Sequence, residues 1–208
     1  MAKASINTLG ASNLSDEERS KLDYYGSDPR TTNALLDVES FDEWVWEPCA
    51  GHHLIADEVA KRGHKVHMTD IAEYEGYEHA KLDFLKVDPR ETFRGDIITN
   101  PPYFQATEFV LKALSIIDDG HKVAMLLRLQ FLEGTKRYET LLKDNPPKTV
   151  YVFTNRQVCD KNDDFTKGSA VAYAWFVWQK GWRGDPTLKW LTTKQDLDDV
   201  YEPVSLFE

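Results

Sequence analysis

Asn100-Pro101-Pro102-Tyr103 places an amide, two rigid backbone units and an aromatic ring directly after the short apolar segment 96–99. Each proline fixes its φ angle and lacks an N–H group, so the carbonyl groups of this segment point in set directions. The residue before a proline favours extended backbone, which prevents a helix from starting at Asn100. The segment is therefore either a simple strand terminator or a rigid polar corner that binds a ligand.

This corner carries two oxygen acceptors that suit an amine conjugated to a flat ring or a carbonyl group. Such an amine is a poor nucleophile because its lone pair is delocalised. If the Asn100 side-chain oxygen and the Pro101 carbonyl each accept one N–H bond, they favour a pyramidal nitrogen with its lone pair free, which is preorganised electrostatic catalysis. Tyr103 adds a stacking face worth about 1–3 kcal/mol to a nucleobase. The residue types predict group transfer to an amine, without a general base.

A second group of residues has the spacing of a nucleoside site. The loop "EPCAGHH" (residues 47–53) follows a predicted strand, and Asp70 lies 19 residues after Gly51 at the end of the next strand. That spacing places a carboxylate on a pair of ribose hydroxyls. The loop has one glycine where a dinucleotide fingerprint has three, so a cofactor without phosphates, S-adenosylmethionine, fits better than NAD. The alternative is that Gly51 only makes a tight turn and Asp70 only ends a strand.

Asp83 and Phe84 follow the next predicted strand and extend the same group. The carboxylate suits an adenine amino group and the ring suits the adenine face. Taken alone, Phe84 is typical of a hydrophobic core.

These residues must be positioned by strands and helices that alternate along the chain. The predicted helices cover residues 54–62, 106–117 and 134–143, and the predicted strands cover residues 43–46, 65–69, 80–82, 96–99, 122–127, 149–153 and 170–178. Alternation with short links predicts a Rossmann-like, doubly wound α/β fold with a mostly parallel, seven-stranded sheet. Because no helix fits between the last two strands, they are predicted to pair antiparallel through the loop 155–169. Ligands bind such sheets at the carboxyl ends of the strands.

Chain length and composition limit the possible classes of protein. The 208 residues suffice for one domain, predicted over residues 23–208 after a flexible segment 1–22. No apolar run is long enough to span a membrane, and no secretory signal begins the chain. The cysteine and histidine spacings predict neither a disulfide framework nor a metal site. These features favour a cytoplasmic protein.

The net charge of −10 argues against a protein whose whole surface binds nucleic acid, because phosphate neutralisation supplies most non-specific affinity. A local basic patch on an acidic body remains compatible with this charge.

Four motifs resemble those of N6-adenine DNA methyltransferases and occur in the same order. They are "WEPCAGHH", the "TD" that contains Asp70, "LDFL" at residues 82–85 and "NPPY" at residues 100–103. The resemblance is closest to small phage-type and restriction–modification enzymes, and it extends from about Tyr24 to Trp178. It implies the class I methyltransferase fold, S-adenosylmethionine as cofactor, and the host cytoplasm as the location of a phage-encoded enzyme.

The resemblance also implies roles for individual residues. In a cofactor site, Glu47 and Gly51 would line the methionine end, Asp70 would bind the ribose, and Asp83 and Phe84 would contact the adenine. The complete predicted cofactor set is Tyr25, Pro29, Glu47, Pro48, Cys49, Gly51, His52, Asp70, Ile71, Asp83, Phe84 and Asn100. The predicted catalytic set is Asn100, Pro101, Pro102 and Tyr103.

The sequence departs from the family pattern at two positions. Asp28-Pro29 stands where the family has a Thr-Pro that touches the cofactor carboxylate, and an aspartate there would repel that group. His53 stands where many members have a second glycine, which predicts a wider loop.

The predicted domain leaves no room for a separate target-recognition domain, so target reading is assigned to loops. These loops hold Arg128, Lys136, Arg137, Arg156, Lys161 and Lys167, which form either a basic rim for DNA or an ordinary solvated face. Phe165 stands where the family often has an aromatic residue that stacks on the extruded base. The predicted substrate-binding set is Tyr103, Arg128, Arg156, Lys161, Phe165 and Lys167.

Together these features predict a methyltransferase that modifies N6 of an extruded adenine in double-stranded DNA, with weak, salt-sensitive binding and no metal or membrane partner. RNA adenine or protein glutamine methylation uses the same chemistry and stays open. A nucleotide-binding module without catalysis is the alternative from another class.

Overall fold

A computed structural model describes residues 24–160, 162–166 and 169–193. Its strands are β1 (Gly26–Ser27), β2 (Trp44–Glu47), β3 (Lys65–Asp70), β4 (Ala80–Lys81), β5 (Asp96–Thr99), β6 (Lys122–Arg128), β7 (Thr149–Phe153), β8 (Cys159–Asp160), β9 (Tyr173–Gln179) and β10 (Thr187–Leu191). Its α-helices are α1 (Pro29–Val38), α2 (Leu54–Lys61), α3 (Ala106–Ile116) and the single turn α4 (Thr135–Arg137). The predicted flexible segment 1–22 lies outside the described residues.

The main sheet of the described chain has eight strands in the order β10-β7-β9-β6-β5-β2-β3-β4. The strands from β4 to β6 are parallel, whereas β9 runs antiparallel to both β6 and β7. The predicted α/β fold with a mostly parallel sheet and an antiparallel β7–β9 pair is therefore confirmed. Because β2 and β5 are neighbours, the strand order reverses between them, and their carboxyl ends flank a crevice suited to a ligand.

One strand and one helix differ from the prediction. Strand β10 pairs parallel with β7 and makes an eighth strand, one more than expected. Four of its five residues are exposed, so it lacks the alternation that marks a half-buried strand. The predicted helix 134–143 forms only one α-turn, which continues as a π-helical turn over Tyr138–Leu142.

The core lies on both faces of the sheet and fixes the surrounding helices. Residues 123–127 of β6 are at most 1% exposed, as expected for a strand covered on both faces. One cluster packs around Phe176 and Trp178, and the other around Trp175. The Trp175 indole N–H donates to the Thr31 carbonyl at 2.9 Å, which anchors the start of α1 beside the crevice. No helix among the described residues is long and apolar enough to cross a membrane.

Candidate active site

A cavity of about 400 Å³ lies at the carboxyl ends of β2, β3 and β5. Its wall includes most of the predicted cofactor residues, which the parallel strands bring to one edge of the sheet. Those on the wall are Tyr25, Glu47, Pro48, Cys49, Asp70, Ile71, Asp83, Phe84 and Asn100. Pro29, Gly51 and His52 lie outside the wall.

Asp70 ties two loops of the cavity together. One carboxylate oxygen accepts from the Gly51 N–H at 3.0 Å, and the other accepts from the Ala72 N–H at 2.9 Å. Gly51 has a φ of 46°, and the Tyr24 ring occupies the space that a side chain would need. Glycine is therefore required here by both backbone conformation and packing. Asp70 itself stays on the cavity wall, with acceptor capacity left for a ligand hydroxyl.

Glu47 carries a buried carboxyl group that the described residues hydrogen-bond only in part. It is 2% exposed, and its Oε2 atom has no hydrogen-bond partner among the described residues. Burial raises the pKa of Glu47 well above its ordinary value, and the nearby carboxylates of Asp70 and Asp57 add to that rise. A buried carboxyl group on a cavity wall suits a cationic ligand group, because such a group would stabilise its charged form.

Asn100 is oriented by a long-range hydrogen bond. Its Nδ2 atom donates to the Tyr25 carbonyl at 2.8 Å. This hydrogen bond determines the orientation of the amide group and therefore the position of its oxygen. The Oδ1 atom is buried and has no hydrogen-bond partner among the described residues. The Pro102 carbonyl accepts from the Gln105 N–H at 3.0 Å and starts the short 3₁₀ turn Tyr103–Gln105. Asn100 lines the cavity, and its oriented amide thus carries a buried oxygen acceptor without a described partner.

Tyr103 lies beside this cavity and does not contribute to its wall. Its ring neighbours Tyr25 at 6.1 Å and Tyr173 at 5.7 Å between centroids, and the Arg128 guanidinium lies over it at 4.9 Å. Burial raises the pKa of Tyr103 well above its ordinary value, so the hydroxyl stays protonated. The following residue, Phe104, is on the cavity wall and 47% exposed.

Asp83 and Phe84 have structural partners in addition to their place on the wall. Asp83 accepts from the Leu85 N–H at 3.2 Å and so caps the 3₁₀ turn that starts at Phe84. Phe84 is 2% exposed and stacks on Phe109 at 5.3 Å. The core interpretation of Phe84 and its place on the cavity wall are therefore both correct.

The two departures from the family pattern have local explanations. Asp28 caps α1 by accepting from the Arg30 N–H at 2.9 Å and pairs with the Arg30 guanidinium, so its charge is neutralised. Ser27, a neutral residue, is on the cavity wall instead. His53 adopts the left-handed conformation, with a φ of 60°, a region that favours glycine. Its Nε2 atom pairs with the His79 ring at 3.1 Å.

The sequence analysis did not predict a group of contacts around Tyr24, a residue of the cavity wall. The Tyr24 hydroxyl donates to Asp163 at 2.9 Å, and the His52 Nδ1–H group donates to the same carboxylate at 2.6 Å. Strands β1 and β8 pair antiparallel alongside these contacts. The loop 155–169, which was predicted to read the target, is thus tied to the cofactor-side loops.

The predicted basic rim is only partly observed. Arg128 and Arg156 together line a second cavity of about 630 Å³. Arg137 is used internally, because its Nη1 atom donates to the Phe131 carbonyl at 3.1 Å. Phe165 is half-buried and lines neither cavity. Lys161 and Lys167 lie outside the described residues.

Solved structures with similar architecture identify the fold. TrmN from Thermus thermophilus superposes with a TM-score of 0.50 and 19% identity over 73% of this chain and 48% of TrmN. A Listeria monocytogenes protein assigned to the class I S-adenosylmethionine-dependent methyltransferases gives a TM-score of 0.57 and 12% identity over 86% of this chain and 74% of that chain. This is the class I methyltransferase fold.

Two further neighbours with this fold have names that include nucleic-acid functions. The methyltransferase subunit of a type I restriction–modification system from Streptococcus thermophilus gives a TM-score of 0.57 and 12% identity over 86% of this chain and 52% of that chain. The 23S rRNA methyltransferase ErmE gives a TM-score of 0.50 and 19% identity over 80% of this chain and 72% of that chain. The chain spans about half the length of TrmN and of the restriction–modification subunit. No family model matches the sequence, and no curated protein matches it either.

Proposed function

We propose that this protein is an S-adenosylmethionine-dependent methyltransferase that acts on N6 of adenine in DNA. The observation that carries this proposal is the Asn100 side chain, whose Oδ1 atom is buried and unpartnered while its Nδ2 atom is held by the Tyr25 carbonyl. A buried acceptor left without a partner costs about 1–3 kcal/mol, so its retention on a cavity wall indicates a ligand N–H group.

The residues of the first cavity fit the cofactor. Glu47 suits the methionine ammonium group, Asp70 the ribose hydroxyls, and Ile71 and Asp83 the adenine. When bound, S-adenosylmethionine supplies an electrophilic methyl group. The chain's own contribution is to orient the target amine: Asn100 accepts one N–H bond and keeps the nitrogen lone pair directed at the methyl group. One N–H proton leaves to water after the N–C bond has formed.

DNA is favoured over the other acceptors by the combination of "NPPY" with "EPCAG" and "DFL", which resembles DNA adenine methyltransferases. RNA is the second candidate, because a structural neighbour is a 23S rRNA methyltransferase. Protein glutamine is the third, because its amide carries the same conjugated NH₂ group.

One experiment identifies the molecule that accepts the methyl group. The protein is incubated with methyl-labelled S-adenosylmethionine and, separately, with DNA, RNA and protein, and the methylated atom is identified by mass spectrometry of the digested product. Label in N6-methyladenine from DNA supports the proposal. Label only in RNA or in glutamine would reassign the substrate, and no transfer to any acceptor would favour a non-catalytic module.

The role of Asn100 gives a quantitative prediction. Asn100→Ala removes an acceptor that acts chiefly in the transition state, so kcat should fall by about 10²–10³. Binding of S-adenosylhomocysteine, measured by calorimetry, should change much less. Asn33→Ala, which removes an amide from α1 away from the cavity wall, is the matched control and should keep its activity. Near-normal turnover of Asn100→Ala would show that the corner is only a strand terminator.

A further inference from the structure

The ring proposed to stack on the target base is already covered. The Arg128 guanidinium lies over Tyr103 at 4.9 Å, in the position where a flat base would stack on that ring. The other described neighbours of the ring are Tyr25 and Tyr173, both tilted relative to it. Of these three side chains, Arg128 is the one carried on a flexible stem, so it is the group that a base can displace.

The Arg128 guanidinium is not fully hydrogen-bonded in this position. It is the last residue of β6, and its backbone is fixed opposite Tyr173 in the β6–β9 ladder. Its Nε atom is buried and has no hydrogen-bond partner among the described residues. The guanidinium also hydrogen-bonds Tyr173, so release to an anionic partner exchanges one hydrogen bond to a neutral hydroxyl and one unsatisfied donor for charge-assisted hydrogen bonds.

The destination for the displaced guanidinium is the second cavity, whose wall Arg128 already joins. The second cavity, of about 630 Å³, is lined by Arg128, Arg156 and Gln130, with Glu133 as the acidic residue on its wall. Two arginines beside one carboxylate leave an excess of positive charge in this cavity. Their planar guanidinium groups match the geometry of a phosphate group.

We propose that Arg128 is a gate: it covers Tyr103 in the free protein, and the target nucleotide displaces it into the second cavity, where Arg128 and Arg156 bind the phosphate group of that nucleotide. The exchange replaces a cation–π contact by base stacking and a charge-assisted hydrogen bond. This inference rests on the proposed function, because it assumes that a base stacks on Tyr103. Its consequence is that the protein recognises a nucleotide and discriminates against the corresponding nucleoside.

Adenosine 5′-monophosphate and adenosine are suitable probes, because they differ only in the phosphate. They are added in the presence of saturating S-adenosylhomocysteine, which occupies the first cavity and keeps their adenosine part from binding there. The wild-type protein should bind the monophosphate about 10–100-fold more tightly than adenosine, the range expected for hydrogen bonds to charged groups. Arg156→Gln should reduce this ratio about tenfold and leave the affinity for adenosine unchanged. Arg183→Gln, which removes an arginine from a loop outside both cavities, is the matched control and should keep the ratio.

Arg128 should behave differently from Arg156 because it also covers the ring. Arg128→Gln should weaken binding of the monophosphate but maintain or improve binding of adenosine, because the Tyr103 face becomes free. Arg128→Lys, a second variant that keeps the charge, should bind the monophosphate less well than wild type because it lacks the planar fork. Equal wild-type affinities for the two probes, or no saturable binding of the monophosphate, would overturn the phosphate assignment.

Movement of the gate can be observed without turnover. In ¹⁵N-labelled protein the Arg128 Nε–H signal, assigned by its loss in Arg128→Lys, should be shifted by the Tyr103 ring. It should move on addition of the monophosphate, and Tyr103→Leu should remove the initial shift. A signal unaffected by the probe would overturn the gate. These readouts are independent of methyl transfer, so absence of methylation would count against the proposed function alone.

Discussion

At the scale of single residues, the proposed contact of Glu47 with the methionine ammonium group would couple cofactor binding to protonation of its carboxyl group. Its carboxyl group is buried, and burial is the main reason why its pKa lies well above the ordinary value of about 4.5. The native state therefore binds a proton that the unfolded state releases over the pH range between the two pKa values. In that range stability falls as the pH rises, because the folded protein must either keep the proton or bury an uncompensated charge.

Replacing Glu47 by glutamine should have opposite effects on folding and on cofactor binding. Glu47→Gln keeps the shape but removes the ionisable group, so its melting temperature should exceed that of wild type by an amount that grows as the pH rises above about 4.5. Its affinity for S-adenosylhomocysteine should fall about 10–100-fold, because a charged hydrogen bond is lost. Thermal unfolding across pH and calorimetry measure the two effects.

Calorimetry in buffers of different ionisation enthalpy provides an independent check of Glu47. At a pH between the ordinary and the raised pKa of Glu47, binding of S-adenosylhomocysteine to wild type should release protons, and Glu47→Gln should abolish this release. A Glu47→Gln variant that binds as tightly as wild type, with unchanged proton release, would contradict the role of Glu47.

At the scale of elements, the Asp163 carboxylate joins its own loop to the segments that carry Tyr24 and His52. Asp163 accepts hydrogen bonds from Tyr24 and from His52, which are 139 and 111 residues away in sequence. The β1–β8 pair brings the same segments together through the backbone. The described part of the loop beyond β7 is therefore connected, through Asp163, to Tyr24 on the wall of the first cavity.

Removing the Asp163 carboxylate should weaken the contact between its loop and the segments that carry Tyr24 and His52. Asp163→Ala should weaken S-adenosylhomocysteine binding by about fivefold or more, since each hydrogen bond contributes about 1 kcal/mol. Because both hydrogen bonds are already formed in the free protein, the melting temperature of the unliganded protein should also fall, by about 2–4 °C for each kcal/mol lost. Asp164→Ala in the same loop is the matched control. Tyr24→Phe combined with Asp163→Ala should lose less affinity than the sum of the single variants, and strict additivity would exclude a shared contact.

At the scale of the whole molecule, the acidic net charge opposes nucleic-acid binding, while two arginines line the second cavity. The net charge is −10, whereas Arg128 and Arg156 line the second cavity together. Long-range repulsion by the acidic body is screened by salt, but direct phosphate contacts are weakened by it. We expect the affinity for DNA to be the balance of these two terms.

This balance predicts weak DNA binding with a small number of phosphate contacts. The logarithm of the association constant should fall linearly with the logarithm of salt concentration, and Arg156→Gln should reduce the slope by about 1. Fluorescence anisotropy of a labelled duplex at several salt concentrations measures the slope, with Arg183→Gln as the control. An affinity that does not change with salt would contradict phosphate binding at this position.

The sequence by itself determined the order of the elements and the edge of the sheet where the site lies. Strands β5 and β7 occur at the predicted residues, because short apolar runs bounded by turn residues are local signals. Since parallel strands align their carboxyl ends, residues that end or follow different strands, such as Glu47, Asp70 and Asn100, could be assigned to one cavity without knowledge of any contact.

Only the tertiary structure decided how those residues are partnered. The donation from Asn100 to Tyr25 spans 75 residues, and the cover that Arg128 provides over Tyr103 joins the ends of two different strands. Contacts of this kind leave no periodic pattern in the sequence, because they depend on how separate segments pack. The same is true of β10, whose exposed residues carry no burial signal and whose place at the sheet edge is fixed by backbone pairing with β7. Local patterning thus specified which residues reach the cavity, and long-range packing specified which of their polar atoms remain free for a ligand.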